Sequence, residues 1–441
     1  MESNSIFLSL VLLHWQRTKR SFYALLSLLL ICLLAYNTAT IFCTHVIVPV
    51  PAPPASFLPE NATGKSRTSS FSSSPKLWPA MQHLAKARVE NLNRKDQNLV
   101  DSISRRRIKQ ATRRGRWRRR SMKLLQESED SKLFGSRVRK FFRSDSSHSS
   151  CKFRFFMTWI SSAESFGDRE MLCVESVFKA HPKGCLIIVS NTMDSAKGTE
   201  ILRPFSDMGL RIAAISPDFD YLFKGTGARA WYNKLKKGHV NPGEVSLGQN
   251  LSNLLRMGLL YRFGGIYIDT DVIVLKSFEG LRNAIGAQTI DLATRNWSRL
   301  NNAVMAFDRG HPLLREFIEE FAKTFDGNKW GHNGPYLVSR VVSRMHREEL
   351  GLDFMVLPPM AFYPVDWSKI RSLFMGPKSL RHSKWIFAKL KQIRGHSFAI
   401  HLWNKQSRAI AVEDGSIIQH VLLSTCVVCN FSSLSVIKSI E

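Results

Sequence analysis

From Lys152 onward, short apolar runs take turns with helical patterns, and no other feature of the sequence limits the fold as much. FRFFMTWI, CLIIVS and RIAAIS, opening at Phe153, Cys185 and Arg211, have the length and composition of buried strands. Between the first two, Ala163 to Ala180 places apolar residues at helical spacing, and a long amphipathic helix is expected from about Ser246 to Phe263. Parallel strands need long crossovers, usually helical, so this alternation predicts α/β units around a largely parallel sheet. Ligands of such sheets bind outside the carboxyl ends of the strands.

The stretch FGGIYIDTDVIVL, Phe263 to Leu275, delivers two carboxylates to such an end. Apart from Asp269 and Asp271, every position in it is apolar, Gly or Thr. An ionised carboxylate is costly to bury without a partner. Either a cation pairs with the two acids or they open into a cleft. A hard divalent ion bridging them to diphosphate oxygens meets both conditions, since it prefers oxygen ligands and absorbs charge on a leaving group. Two surface acids in a turn would satisfy the same short pattern, so the neighbouring sequence has to decide.

The first 150 residues have another texture. Phe22 to Cys43 is uncharged, long enough to cross a bilayer, and preceded by Arg17, Lys19 and Arg20. It reads as a signal anchor over 21–44, with residues 1–20 cytosolic and the remainder lumenal; a cleaved signal peptide is the alternative. Residues 45–150 form a Pro/Ser-rich and basic stem with little that could bury a core. The formal net charge is +28, and half of it falls between Leu84 and Arg143, where 20 Lys and Arg face 6 acids. A lumenal stem argues against nucleic acid as its partner; anionic lipid, acidic polysaccharide or plain solvent are the readings left open. Asn61, Asn250, Asn296 and Asn430 head N-glycosylation triplets, and Asn250, within the expected helix, is the one least suited to modification. Cys151, Cys173, Cys185, Cys426 and Cys429 lie where disulfides can form, and their odd number leaves one thiol free or paired between chains. Cys426 and Cys429 read as a structural disulfide.

Around the acids stand LSNLLRMGLLYRFGGIYIDTDVIVLKSF, RLNNAVMAFDRGHPLL, NKWGHNGPYLVSRVV, LPPMAFYPVDW and HLWNKQS, in that order. Together they resemble glycosyltransferase family 32, in the branch that joins animal lactosylceramide 4-alpha-galactosyltransferase to its plant relatives. The likeness runs from about Phe153 to Cys429. It implies a GT-A, Rossmann-like α/β catalytic domain over 151–441, with a donor half at about 151–310 and an acceptor half at about 311–430. It also implies Mn²⁺ or another divalent cation, a UDP-sugar donor, a glycan or glycolipid acceptor, retention at the anomeric carbon, and a type II Golgi membrane location. By the same resemblance Asp271 is a metal ligand, Asp269 meets the donor ribose and metal-bound water, and His401 is the C-terminal metal or diphosphate ligand. Asn253 and Arg256, three residues apart on one helical face, are expected at the donor sugar and phosphate, although relatives carry an acid where this chain has Asn253. Trp159 is expected to stack on the donor base, Asn301 and Asn302 to line the donor sugar, and His332 and Asn333 to act beside donor and acceptor.

The reaction this implies transfers a hexose, by default galactose, from UDP-galactose to a hydroxyl. A mannosyltransferase using GDP-mannose is the second enzyme reading, and a catalytically silent lumenal glycan-binding protein is the alternative from another class.

Overall fold

The computed structural model describes residues 129–143, 151–347 and 353–428. The expected membrane span, most of the stem and Cys429 lie outside them. Among the described residues no helix is long and apolar enough to cross a membrane. All of them belong to one unit of the chain.

Helix α1 (Phe134–Phe142) comes before the first strand and buries Phe134, Val138 and Phe142. The expectation of a coreless stem up to residue 150 therefore fails at its C-terminal end. Three apolar residues at i, i+4 and i+8 form a stripe that the basic composition of the region conceals. The sheet follows as β1 (Phe153–Thr158), α2 (Asp168–Ala180), β2 (Gly184–Val189), α3 (Ala196–Asp207) and β3 (Arg211–Ile215). Next come α4 (Gly227–Lys236), α5 (Leu247–Phe263), β4 (Gly265–Ile268) and β5 (Val272–Val274). The second half comprises β6 (Ala284–Ile290), β7 (Trp297–Phe307), α6 (Pro312–Thr324), α7 (Pro335–Arg347) and β8 (Met355–Leu357). It closes with α8 (Leu380–His396), β9 (Ala399–His401), α9 (Asn404–Ser407) and α10 (Ile417–Thr425).

Seven strands pair in the order β3-β2-β1-β4-β7-β6-β8, and β5 pairs with β9 in a separate ribbon. The strands from β3 to β4 run parallel, as expected. β7 is antiparallel to both β4 and β6, so the sheet is mixed. Only six residues separate β6 from β7, too few for the crossover a parallel pair requires.

Side chains alternate across the sheet and divide the core in two. Phe155, Met157, Ile266 and Ile268 face one apolar cluster, together with α2 residues and the C-terminal Ile400 and Ile417. Phe156, Tyr267 and Met305 face the other, against Leu251, Leu254 and Leu255 of α5. Helix α5 is buried along most of its length, which makes it a rigid platform beneath β4. A disulfide joins Cys151 to Cys185 at the entrances of β1 and β2, while Cys173 is buried and free. Cys426 is also disulfide-bonded. Asn250 is buried in α5, as its place in the expected helix suggested.

Candidate active site

Two glycines set the approach to the acids. Gly264 (φ 64°) ends α5, and Gly265 (φ 112°) turns the chain directly into β4. A Cβ at Gly265 would lie 2.5 Å from the Arg154 carbonyl oxygen, so both the conformation and the space demand glycine. β4 then runs between β1 and β7, and the Asp269 N–H donates to the Ala303 carbonyl as the last rung on that side. At Asp269 the chain leaves the sheet. Thr270 and Asp271 form the bend, and β5 departs to pair with β9, where Val272 stands opposite His401. The apolar run is thus two strands with the acids at the break between them, and the second strand draws a histidine from 130 residues downstream to the same point.

Asp269 shares a face with Tyr267, whose hydroxyl donates to Asp269 Oδ1 at 2.7 Å and also meets Thr158 Oγ1 at 2.8 Å. From α5, Arg256 grips the same carboxylate with two donors, Nη2 to Oδ1 at 2.8 Å and Nη1 to Oδ2 at 3.1 Å. Its remaining donors go to the Asn302 carbonyl, the Ser252 carbonyl and the Ser252 hydroxyl. Asp271 Oδ1 lies 3.3 Å from His401 Nε2, and Asp271 Oδ2 accepts from the Asn404 N–H at 2.9 Å. That N–H is aimed by Trp403, which takes a left-handed conformation (φ 55°) and packs its ring edge-on to His401 at 4.1 Å. Arg169 holds the turn from below, donating to Asn404 Oδ1 and Ser407 Oγ.

The two acids differ electrostatically. Burial and the neighbouring Asp271 carboxylate push Asp269 above its ordinary pKa, against the pull of Arg256. Burial would raise Asp271 as well, but His401 and the Asn404 N–H outweigh it and hold the group at about 2. Asp271 is therefore the firmly ionised acid.

The donor set suits a divalent cation. Atoms of Asp269, Asp271 and His401 capable of ligation lie within 4.8 Å of one another. They are hard oxygen and imidazole donors. His401 Nδ1 is buried with no hydrogen-bond partner among the described residues, so internal structure does not occupy the whole ring. Three contacts from Tyr267 and Arg256 leave Asp269 about one of its roughly four lone-pair directions, whereas Asp271 keeps more.

Several expected roles change. With its donors engaged and only 1% of its surface exposed, Arg256 has no N–H left for a phosphate; it positions Asp269 instead. Asn253 lies in the interior and accepts from Asn302 Nδ2, and Asn301 donates to Gln288 Oε1 while accepting from the Ala303 N–H. Asn253 and Asn302 thus brace each other beneath the site, and Asn301 is braced by Gln288 and the main chain. Trp159 follows β1, is 7% exposed as a residue, packs edge-on to Phe166 and donates its indole N–H to the Ser162 carbonyl, an arrangement that does not present it for base stacking. His332 meets the Thr324 carbonyl, and Asn333 binds Asn250 and Asp326. Both secure the start of α7 rather than reach the acids. Sequence reasoning missed Tyr267, Arg169, Trp403 and the Asn404 N–H. The period of two from Asp269 would have pointed to Tyr267, but a main-chain donor leaves no trace in residue type.

Residues 167–290 match the family described as glycosyltransferase sugar-binding region containing DXD motif. Residues 306–432 match the alpha 1,4-glycosyltransferase conserved region. Orangutan lactosylceramide 4-alpha-galactosyltransferase is 31% identical over 204 residues, which cover 44% of this chain and 84% of that protein. The chain belongs to the DXD-containing alpha-1,4-glycosyltransferase family. The mouse enzyme of the same name is 30% identical over 258 residues, covering 55% of this chain and 65% of that one. An uncharacterized Arabidopsis thaliana protein is 29% identical over 315 residues, covering 68% of this family member and 45% of its own length. The alignment thus spans somewhat under two thirds of the mouse enzyme and under half of the Arabidopsis protein. Asp269-Thr270-Asp271, which has the D-x-D pattern, lies in the first matched region, and the second matched region contains His401.

Proposed function

We propose that this protein is a metal-dependent, retaining hexosyltransferase of GT-A type that moves galactose from UDP-galactose, in α linkage, to a hydroxyl of a glycan or glycolipid. It would act in the Golgi lumen as a type II membrane protein anchored through Phe22–Cys43. The observation that carries the reading is the meeting of Asp269, Asp271 and His401 at a break between strands, with Arg256 fixing the first acid. That arrangement lies at the carboxyl ends of parallel β1 and β4, where ligands of α/β sheets bind.

When bound there, Mn²⁺ or another divalent cation supplies the positive charge that steadies a departing diphosphate. Asp271 and His401 would hold it, with Asp269 adding its remaining lone pair. Arg256 and Tyr267 keep Asp269 in place, and Arg169 with Trp403 keeps the Asn404 N–H on Asp271. A preorganised set of charges of this kind lowers a barrier without reorganising at the moment of reaction. In front-face displacement the leaving phosphate oxygen takes the acceptor's proton, so no side-chain base is required.

The acceptor is assigned to the side where the HLWN turn meets the start of α7. There Lys405 places its ammonium 3.6 Å from the centroid of the half-exposed Trp330 ring. Polar and aromatic groups of this kind suit the edges and faces of a sugar.

The test incubates the full-length protein in detergent with Mn²⁺ and, separately, UDP-galactose, other UDP-sugars and GDP-mannose, and measures nucleotide release. Release from UDP-galactose that is abolished in Asp271→Ala is the expected result. Preference for GDP-mannose would replace the donor, and no release above Asp271→Ala from any donor would overturn the transferase reading.

A further inference from the structure

At the other end of the same strands the chain builds a second and quite different site. Arg139, Arg143, Arg154, Arg262 and Arg309 line one cavity of about 250 Å³. Arg154 and Arg309 continue into an adjoining cavity of about 470 Å³, floored by Gly264 and Gly265. These residues stand at the entrances of β1 and β4, whereas the acids stand at the exits. Four residue steps along β1, from Arg154 to Thr158, put about 13 Å of strand between the two ends.

Among the described residues none of the five arginines has a carboxylate partner. Arg139 donates to the Tyr221 hydroxyl and Arg262 to backbone carbonyls of Leu222 and Lys224. At the outer rim the pattern differs, since Lys152 pairs with Glu279 and Arg282 with Asp308. By sequence, the seven residues joining Arg143 to Cys151 contain one acid, Asp145, against five guanidinium groups. Three of the five are held against rings, Arg139 at 5.8 Å from the Tyr221 centroid, Arg154 at 5.6 Å from that of Phe142 and Arg262 at 5.6 Å from that of Tyr261. A ring against the face of a guanidinium leaves most of its in-plane donors available, and such donors match phosphate and sulfate oxygens. Like charges gathered in a concave site raise the local potential and attract anions.

We propose that this cavity is a metal-independent binding site for a compact polyanion carrying two or more phosphate or sulfate ester groups. Arg139 comes from α1 and Arg143 directly follows it, while Arg154, Arg262 and Arg309 come from the sheet, the end of α5 and the turn after β7. A bound polyanion therefore ties α1 to the catalytic core.

The test uses the full-length protein in detergent with EDTA, so that divalent cations contribute nothing. Inositol hexakisphosphate and a heparin-derived tetrasaccharide are titrated by calorimetry, with inorganic sulfate as the simple-anion reference. Both polyanions are expected to bind more tightly than sulfate, and the better of the two identifies phosphate or sulfate as the preferred ester. The Arg154→Gln/Arg309→Gln double variant is expected to lose about tenfold or more in affinity, consistent with the loss of two charge-assisted contacts. Arg143→Gln, just after α1, reads the same site should the double variant fail to fold. Asp271→Asn and the distant Lys384→Gln/Lys391→Gln variant are expected to bind as wild type. Bound polyanion should also slow amide exchange across Phe134–Phe142. Failure of both polyanions to bind, unchanged affinity in the arginine variants, or equal loss in Lys384→Gln/Lys391→Gln would overturn the proposal. The last outcome would reduce it to diffuse attraction by a chain of net charge +28. No outcome depends on whether the protein transfers sugar.

Discussion

Replacing Arg256 with Met separates a positioning role from a phosphate-binding one. The guanidinium is buried and makes two contacts to Asp269, and its face lies 4.4 Å from the Tyr267 centroid. Methionine fills much of the volume and removes all of the donors. Breaking a buried ion pair by deleting one partner costs about 3–5 kcal/mol. The Asp269 side chain keeps 23% of its surface exposed, so water can take over part of its solvation, and about 2–3 kcal/mol is the better expectation here. Tyr267 would be left as the remaining side-chain donor to that carboxylate, which would drift from its position beside Asp271. Loss of a group that orients a metal ligand usually weakens metal binding about 10–100-fold. Urea denaturation reads the first quantity. The second is read by Mn²⁺ titration with no donor present, following the free ion by electron paramagnetic resonance. Donor-free Mn²⁺ affinity equal to wild type, together with stability within about 0.5 kcal/mol of it and a raised KM for the sugar nucleotide, would refute the reasoning. That combination would show Arg256 acting on the donor phosphate directly.

Tyr267→Phe removes a buried hydroxyl that bonds a charged carboxylate, and should cost about 1.5–3 kcal/mol by urea denaturation while lowering turnover. Gly265→Ala forces a Cβ to 2.5 Å from the Arg154 carbonyl oxygen at φ 112°, so its thermal transition should fall by more than that of Gly280→Ala, where nothing crowds the added carbon. His181 is buried, bonded to the Val177 carbonyl and the Phe278 N–H, and burial lowers its pKa from 6.5 to about 4. The fold thus favours the neutral ring. Its contribution is fully present above pH 6.5 and is lost as pH falls from there toward 4, by about 3 kcal/mol at most. In His181→Gln that part of the pH–stability profile, measured by urea denaturation, should flatten.

Periodicity made the first four strands and α5 legible, because burial on both faces of a parallel sheet leaves apolar runs that few other structures need. The same logic misjudged α1, whose buried Phe134, Val138 and Phe142 lie in a stretch, residues 129–143, that carries seven cations and acids and so reads as solvated by composition. For the site, residue types at motif positions indicated which residues matter, and Asp269, Asp271, Arg256 and His401 do converge. What each one does was less visible. Arg256, Asn253, Asn301 and Asn302 look like ligand-binding groups in sequence, yet Arg256 is spent on Asp269, Ser252 and the Asn302 carbonyl, Asn302 bonds Asn253, and Asn301 bonds Gln288; residue type does not show where a donor points. His401 could be brought to the acids only by the β5–β9 pairing, a contact across 129 residues that no local pattern encodes.

The most direct measurement is the coupling between Mn²⁺ and UDP in wild type, Asp271→Asn and His401→Gln, read from Mn²⁺ titrations with and without UDP. A shared metal–diphosphate site requires each ligand to tighten the other by the same factor, about tenfold or more. That coupling should be present in wild type and lost in both variants, with their thermal transitions showing that they remain folded. Mn²⁺ affinity in wild type that ignores UDP, or coupling that survives in His401→Gln, would contradict the convergence of these residues on one ion.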